Sequence, residues 1–381
     1  MTGSKRPLHI LELRSVRGTG GGPEKTILLG AQLSDPAYRI TVCYLRDQRD
    51  RIFGVDNRAA QAGVEYVEVR EKHSFDPGIW PQLRRLVSER AIDIVHSHDY
   101  KTNALALMLS RTCGVRALST VHGWTGHSFR ERWCYYPVDK RVLARFSRVV
   151  AVSSEIGREL VRCGADPAHV TTVLNGIDHR RFRRDPARVA EARAALGAAP
   201  EDTVIGAVGR LEPQKRFDLL LEAFVTINKQ FPRTRLLIVG DGSQRRALDA
   251  QIKALSLADR SRLVGHTDDV VPAYHAFDLL VQSSDYEGTP NAVLEAMAFE
   301  VPIVATAAGG TAEIVRDGVD GRIVPIGRVD LLTREVIRSL EAPPTMREMA
   351  RQARLRVEGE LSFETRVRRI ERIYDEMVTR A

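Results

Sequence analysis

Residues 204–224 read VIGAVGRLEPQKRFDLLLEAF. A short apolar, β-branched run comes first, then a polar turn opened by Gly209. A stretch with helical spacing follows, with Leu219, Leu220 and Phe224 expected to face inward. Buried strand, turn and amphipathic helix make half of a strand–helix–strand unit. The same alternation recurs in both directions. Downstream strand readings are 235–239, 262–264, 279–281, 302–305 and 322–324. Upstream ones are 8–13, 39–44, 65–69, 92–96, 117–121 and 148–152, with helix-length stretches such as 24–33 and 102–112 between them. Strands apolar almost throughout, separated by helices, belong to a parallel sheet covered on both faces. The expected fold class is therefore α/β, built from two doubly wound, Rossmann-like domains.

A polar, arginine-rich segment, 178–203, interrupts the series and reads as a linker. It sets the expected domains at 1–180 and 181–361. The segment 362–380 carries Phe363, Val367, Ile370, Ile373, Tyr374 and Met377 on one helical face. A chain of 381 residues has room for two cores, and 43% apolar with 28% charged residues is a globular composition. No run of 18 apolar residues offers a spanning helix. The apolar run behind Lys5 and Arg6 is broken by Glu12 and Arg14, so no conventional secretory signal is expected. Four scattered cysteines without a C-x-x-C pair fit reduced thiols, hence a cytoplasmic protein. The net charge of +8 sits in the first half: residues 1–180 hold 27 Lys/Arg against 19 Asp/Glu, the remainder 30 against 30. That asymmetry suits an anionic partner, a lipid surface or a phosphorylated substrate, or else an ordinary arginine-rich surface. No compact basic run interleaved with aromatics is present, so no nucleic-acid partner is expected.

Several stretches carry chemistry. RGTGGGPEKT, residues 17–26, resembles a phosphate loop but fails both common patterns. Glu24 stands where a Walker loop needs glycine, and Pro23 where the dinucleotide fingerprint needs its third. What survives is a glycine turn, Gly20 to Gly22, before a helix whose free amides suit an anion. After the strand 204–208, Arg210 and Lys215 place two cations at a strand end, which suits a diphosphate. Glu287 and Glu295 flank GTPNAVL at a spacing of eight. Glu287 is expected in the loop and Glu295 inside the helix, with amides near Asn291, Ala292, Val293 and Leu294 favouring phosphate. The flexible AAGG turn at 307–310 lies nearby in sequence. HSHD, 96–99, puts two imidazoles on one face of a strand end; metal ligands, acceptor lining and plain strand structure all remain open.

The ordered set of motifs resembles the retaining glycosyltransferases of family 4. It comprises the glycine loop, VHGW (121–124), AVSS (151–154), NGID (175–178) and GRLEPQKRFDLLLEAF (209–224). It continues with VGDG (239–242), LVGHTDDV (263–270), the E-x7-E pair and GGTAEIV (309–315). The resemblance covers almost the whole chain. It implies the GT-B fold, two Rossmann-like domains facing across a cleft, with the last helix crossing back to the acceptor-side first domain. It implies a nucleotide-sugar donor, a UDP-, GDP- or ADP-sugar with UDP-sugar the first expectation here, and a lipid-linked or polysaccharide-precursor acceptor. By the same resemblance Arg210 and Lys215 hold the diphosphate, Glu287 contacts the transferred sugar and Glu295 the ribose. Backbone at Val264, Gly265 and His266 holds the base, Gly20, Gly21 and Gly22 close over the phosphates, and His122 orients the sugar. Cations of the chain would do the work of a metal, so no cofactor and no metal are expected, and no D-x-D pair is convincing. Front-face substitution is expected, since no carboxylate clearly offers itself as nucleophile.

Two other readings share these motifs: a GT-B nucleotide-sugar 2-epimerase, and a non-catalytic sugar-nucleotide-binding subunit. The presence of Arg210, Lys215, Glu287 and Glu295 together disfavours the second. The stretch 127–146 mixes aromatics with basic side chains from Arg130 onward. It fits peripheral contact with an anionic membrane on its inner face, or an ordinary helix over the first domain.

Overall fold

A computed structural model of the chain describes residues 6–16, 18, 22–124 and 131–379. The chain divides into two units, Met1–Val173 with Arg366–Ala381, and Leu174–Thr365.

The first unit is built on seven strands: β1 Leu8–Ser15, β2 Tyr38–Asp47, β3 Glu65–Glu71, β4 Ile94–Ser97, β5 Arg116–Val121, β6 Arg148–Ala151 and β7 Val170–Thr172. All pairs are parallel, in the order β3-β2-β1-β4-β5-β6-β7. The strand order therefore reverses at β1 and β4, where Glu12 stands beside His96 and Leu13 beside Ser97. Ligands of such sheets collect outside the carboxyl ends of the strands at this reversal. Only β7 escapes the sequence reading: three partly exposed residues are too few to show a period. Ile10, Val42, Ile94, Leu118 and Val150 are buried in one core cluster, which also takes Ile370, Ile373, Tyr374 and Met377 from the helix Phe363–Thr379. A segment from the far end of the sequence thus completes the core of the first unit.

The second unit has six strands: β8 Thr203–Val208, β9 Thr234–Val239, β10 Ser261–Gly265, β11 Leu279–Gln282, β12 Ile303–Thr306 and β13 Arg322–Val324. Their order is β10-β9-β8-β11-β12-β13, again parallel, with the reversal at β8 and β11. The helix Phe217–Gln230 buries Leu220, Leu221 and Phe224, whereas Leu219 is half-buried, one position off the expected inward face.

The linker reading of 178–203 is corrected. The helix Val189–Ala195 lies inside it and buries Ala192, while Ala198 and Phe182 join the core of the second unit. Arg193 clamps Asp278 through two nitrogen–oxygen contacts of 2.6 and 2.7 Å on one guanidinium nitrogen. Some of the charges that suggested a linker are engaged, Arg193 with Asp278 and the Pro200 and Asp202 carbonyls and Arg180 with Glu364, which composition cannot distinguish from solvation. No helix among the described residues is long and apolar enough to cross a membrane.

Candidate active site

In the second unit, the loop after β8 is fixed from below by its neighbour after β9. The amide of Leu211, a buried side chain, donates to the Asp241 carbonyl at 2.9 Å. Gly240, at φ +141°, lies so close that a Cβ would stand 1.9 Å from the Gly209 carbonyl oxygen. VGDG is therefore a support for the arginine loop, and glycine is required there sterically. The loop leaves Arg210 exposed and without a side-chain partner among the described residues. Lys215 ends a short 3-10 turn, Pro213–Lys215, and its Nζ lies 2.6 Å from Glu287 Oε1. Arg216, next to it, pairs with Asp285 at 2.8 Å and with Asp218 at 3.1 Å. Lys215 and Glu287, 72 residues apart, are thus brought into direct contact.

Glu287 Oε1 also accepts from Ser284 Oγ at 2.7 Å and from Gln282 Nε2 at 3.1 Å. Gln282 is oriented in turn by Thr311 Oγ1, 3.2 Å from its amide oxygen. The AAGG turn presses on this loop. Gly309 adopts φ +54°, and a Cβ there would stand 1.8 Å from the Glu287 carbonyl oxygen. The amide of Gly310 donates to Gly288 O at 2.7 Å. The second glycine pair is rigidly packed, contrary to the flexibility expected of it.

Pro290 caps the helix Asn291–Ala298. The amides of Val293 and Leu294 both reach the Pro290 carbonyl at 3.2 Å, and their side chains are fully buried. The first-turn amides of Asn291 and Ala292 remain as the positive end of this helix. Glu295 Oε2 accepts from the buried Tyr274 hydroxyl at 2.8 Å, which also lies 2.9 Å from the Ala292 carbonyl. Burial, then the Glu295 charge, pushes the Tyr274 hydroxyl well above its ordinary range, so it remains a donor. At the end of β10, Val264 and Gly265 are half-buried, and His266 is exposed, 3.4 Å from Asp268.

In the first unit, Gly20 and Gly21 lie outside the described residues, and Gly22 opens the helix Gly22–Leu33. Glu24 is buried there against Arg14 Nε at 2.5 Å, and Lys25 is exposed. His122 follows β5 and is half-buried. Its Nε2 lies 3.4 Å from Nδ1 of the buried His98, whose Nε2 meets Glu12 Oε2. On the same face His96 Nδ1 is 2.8 Å from the Tyr374 hydroxyl, and His96 Nε2 is 2.8 Å from Thr120 Oγ1. The Tyr374 hydroxyl donates to Glu12 Oε1 at 2.9 Å. Glu12, His96 and His98 offer ligand-type atoms within 4.8 Å of one another, yet each imidazole nitrogen already has a protein partner. Burial alone would raise the Glu12 carboxyl; His96 and His98 outweigh it and hold it well below the usual range. Burial pushes His98 down to about 4, and burial with the nearby His98, Arg14 and Arg366 takes His122 well below its ordinary value.

The residue after Gly123 is anchored too. Trp124 Nε1 donates to Asp139 at 2.9 Å, Asp139 accepts from Asn103 at 2.7 Å, and Lys140 lies 4.6 Å over the indole. The sequence reading missed Glu12, Tyr274 and Tyr374. Glu12 had a signal, a lone carboxylate inside the apolar strand LHILEL. The tyrosines had none, since an aromatic on a helical face reads as core.

Residues 189–356 match the family of glycosyl transferases group 1, and residues 20–181 match Glycosyltransferase Family 4. The chain belongs to glycosyltransferase family 4. This family 4 enzyme is 26% identical over 304 residues to the UDP-Gal:alpha-D-GlcNAc-diphosphoundecaprenol alpha-1,3-galactosyltransferase of Escherichia coli, covering 78% of each chain. It is 29% identical over 297 residues to the GDP-mannose-dependent alpha-(1-6)-phosphatidylinositol monomannoside mannosyltransferase of Mycolicibacterium smegmatis, 74% of this chain and 76% of that one. The solved structure of Anabaena HepE in complex with UDP superposes with a TM-score of 0.84 at 21% identity, covering 97% of this chain and all of that one. The two parallel sheets are those of the GT-B fold.

Proposed function

We propose that this glycosyltransferase moves a hexose from a nucleoside-diphosphate donor, a UDP-sugar first among them, to a lipid-linked or polysaccharide-precursor acceptor, retaining the anomeric configuration. The observation that carries this reading is the Lys215–Glu287 contact at 2.6 Å, at the carboxyl ends of β8 and β11, with Arg210 exposed on the same loop after β8. One guanidinium, Arg210, and one ammonium, Lys215, suit the charge that develops on a departing diphosphate, the work a metal does in other transferases. The amides of Asn291 and Ala292 add the positive end of a helix. Glu287 takes the hydroxyls of the transferred sugar, Glu295 the ribose, and the backbone from Val264 to His266 the base. Gly20, Gly21 and Gly22 cover the phosphates, and His122 supplies a neutral imidazole to the sugar.

Retention by double displacement needs a free carboxylate as nucleophile. Glu287 Oε1 already accepts from Lys215, Gln282 and Ser284, which lowers its nucleophilicity. Front-face substitution fits better. The bond from the anomeric carbon to the diphosphate oxygen breaks first, giving an oxocarbenium-like state. The acceptor oxygen then bonds on the same face, and its proton passes to the leaving phosphate oxygen.

The test is thermal stability with UDP, GDP and ADP, followed by nucleotide release from the matching sugar donor with and without acceptor. A ligand at 100 times its Kd stabilises by about 2.7 kcal/mol. We expect UDP to give the largest shift, and release to depend on a saccharide acceptor. No shift with any of the three would sink the donor assignment, and full turnover without acceptor would replace transfer by epimerisation.

A further inference from the structure

The polar cluster behind His122 constrains its protons. Five contacts link Thr120, His96, Tyr374, Glu12, His98 and His122 in sequence, and His96 Nδ1 also lies 3.2 Å from Glu12 Oε1, beside the Tyr374 hydroxyl. The longest is the 3.4 Å step between the two imidazoles of His98 and His122. Each member has a fixed inventory: an ionised carboxylate only accepts, a neutral imidazole donates once and accepts once. The single hydrogen of the Tyr374 hydroxyl goes to Glu12 Oε1, so its oxygen accepts from His96 Nδ1–H. His96 Nε2 then accepts from the Thr120 hydroxyl. On the other side Glu12 Oε2 takes the hydrogen of His98 Nε2, which leaves a lone pair on His98 Nδ1. The contact with His122 is then satisfied only if His122 carries its proton on Nε2. Its Nδ1 becomes the accepting nitrogen. The tautomers follow from the network as a whole.

We propose that Glu12, acting through His98, is a positioning pair that holds His122 as its Nε2–H tautomer and dedicates His122 Nδ1 to accepting a hydrogen bond from a sugar hydroxyl. The donor of that bond rests on the proposed glycosyl transfer; the tautomer does not. The surroundings support it. Glu12 and His98 sit on β1 and directly after β4, the two strands at the reversal of the sheet. The charged groups acting on the imidazoles include the cations Arg14 and Arg366, which disfavour an imidazolium that would have no lone pair to offer. A metal at Glu12, His96 and His98 would have to displace Tyr374, Thr120 or His122 from nitrogens they already occupy.

The measurement is the nitrogen NMR spectrum of histidine rings in the labelled full chain at neutral pH, with His122 assigned by its loss in His122→Gln. We expect a protonated Nε2 and a bare Nδ1. Glu12→Gln keeps its oxygen on the Tyr374 hydroxyl and turns its amide NH2 toward His98 Nε2. The proton of His98 then moves to Nδ1, and His122 is forced into the opposite, Nδ1–H tautomer. Alongside this inversion kcat should fall about tenfold or more while the donor KM changes by less than about threefold, the signature of an interaction made in the transition state. A wild-type His122 protonated on Nδ1 or on both nitrogens overturns the proposal, as does a Glu12→Gln spectrum without inversion. So does an inversion that leaves kcat unchanged, or stoichiometric zinc in the purified protein that is lost in His98→Asn. The wild-type spectrum decides the tautomer even if Glu12→Gln fails to fold. Because it is recorded without substrate, a wrong transfer reading would show separately, as wild-type protein that releases no nucleotide.

Discussion

At the scale of single residues, some charges are spent inside the protein and others are left for a ligand. Lys215 is held by Glu287, with side chains 18% and 10% exposed, so its ammonium is placed before any donor arrives. Lys215→Ala should lower kcat by a factor of about 100 or more, because the leaving group loses its cation. Steady-state turnover with the donor identified by thermal shift checks this, and near-normal turnover would defeat the leaving-group role. His98 gives a pH prediction. Its ordinary value of 6.5 falls to about 4 in the folded protein. Between those values the unfolded chain binds a proton that the folded chain does not, so stability is complete above the upper value and declines as acid approaches the lower. His98 alone should account for a loss of about 2 kcal/mol from pH 7 to pH 5 in the unfolding of the first unit. Urea unfolding followed by the fluorescence of Trp80, Trp124 and Trp133, all in the first unit, measures it, and His98→Gln should lessen that dependence and leave the part that belongs to His122.

At the scale of elements, strand–helix alternation was legible because buried parallel strands are near-continuous apolar runs, a pattern that survives without any tertiary information. The pairing of Lys215 with Glu287 was legible only as two motifs. Their contact depends on the reversal of strand order at β8 and β11, which no local pattern encodes. The rigidity of Gly309 was misread for the same reason: glycine signals freedom locally, and here it marks a backbone pressed against Glu287 O. Gly309→Ala should therefore cost about 3 kcal/mol in the second unit, from a left-handed residue and a backbone overlap together. Equilibrium unfolding tests this, and a change below about 0.5 kcal/mol would mean that the turn gives way easily. Tyr374→Phe should destabilise the first unit by about 1–3 kcal/mol, since Glu12 and His96 each lose a buried partner.

At the scale of the whole molecule, the division of the chain is not the division of the sequence. The first unit needs Arg366–Ala381, whose described residues bury Ile370, Ile373, Tyr374 and Met377 with Ile10 and Val42. A chain ending at Thr365 should keep a folded second unit that still binds the donor nucleotide, while the first becomes open to protease. Limited proteolysis with mass spectrometry distinguishes this from uniform resistance, which would show that the last helix is dispensable. That helix also has a consequence for synthesis. A ribosome adding roughly 5–20 residues per second makes the whole of Leu174–Thr365 between the last strand of the first unit and the helix that closes it, a wait of roughly 10–40 seconds. The second unit is continuous in sequence and can fold during that interval. The earlier-born half must wait with its core cluster lacking Ile370, Ile373, Tyr374 and Met377, so it is the nascent N-terminal half, rather than the finished enzyme, that leaves apolar surface open to misassociation.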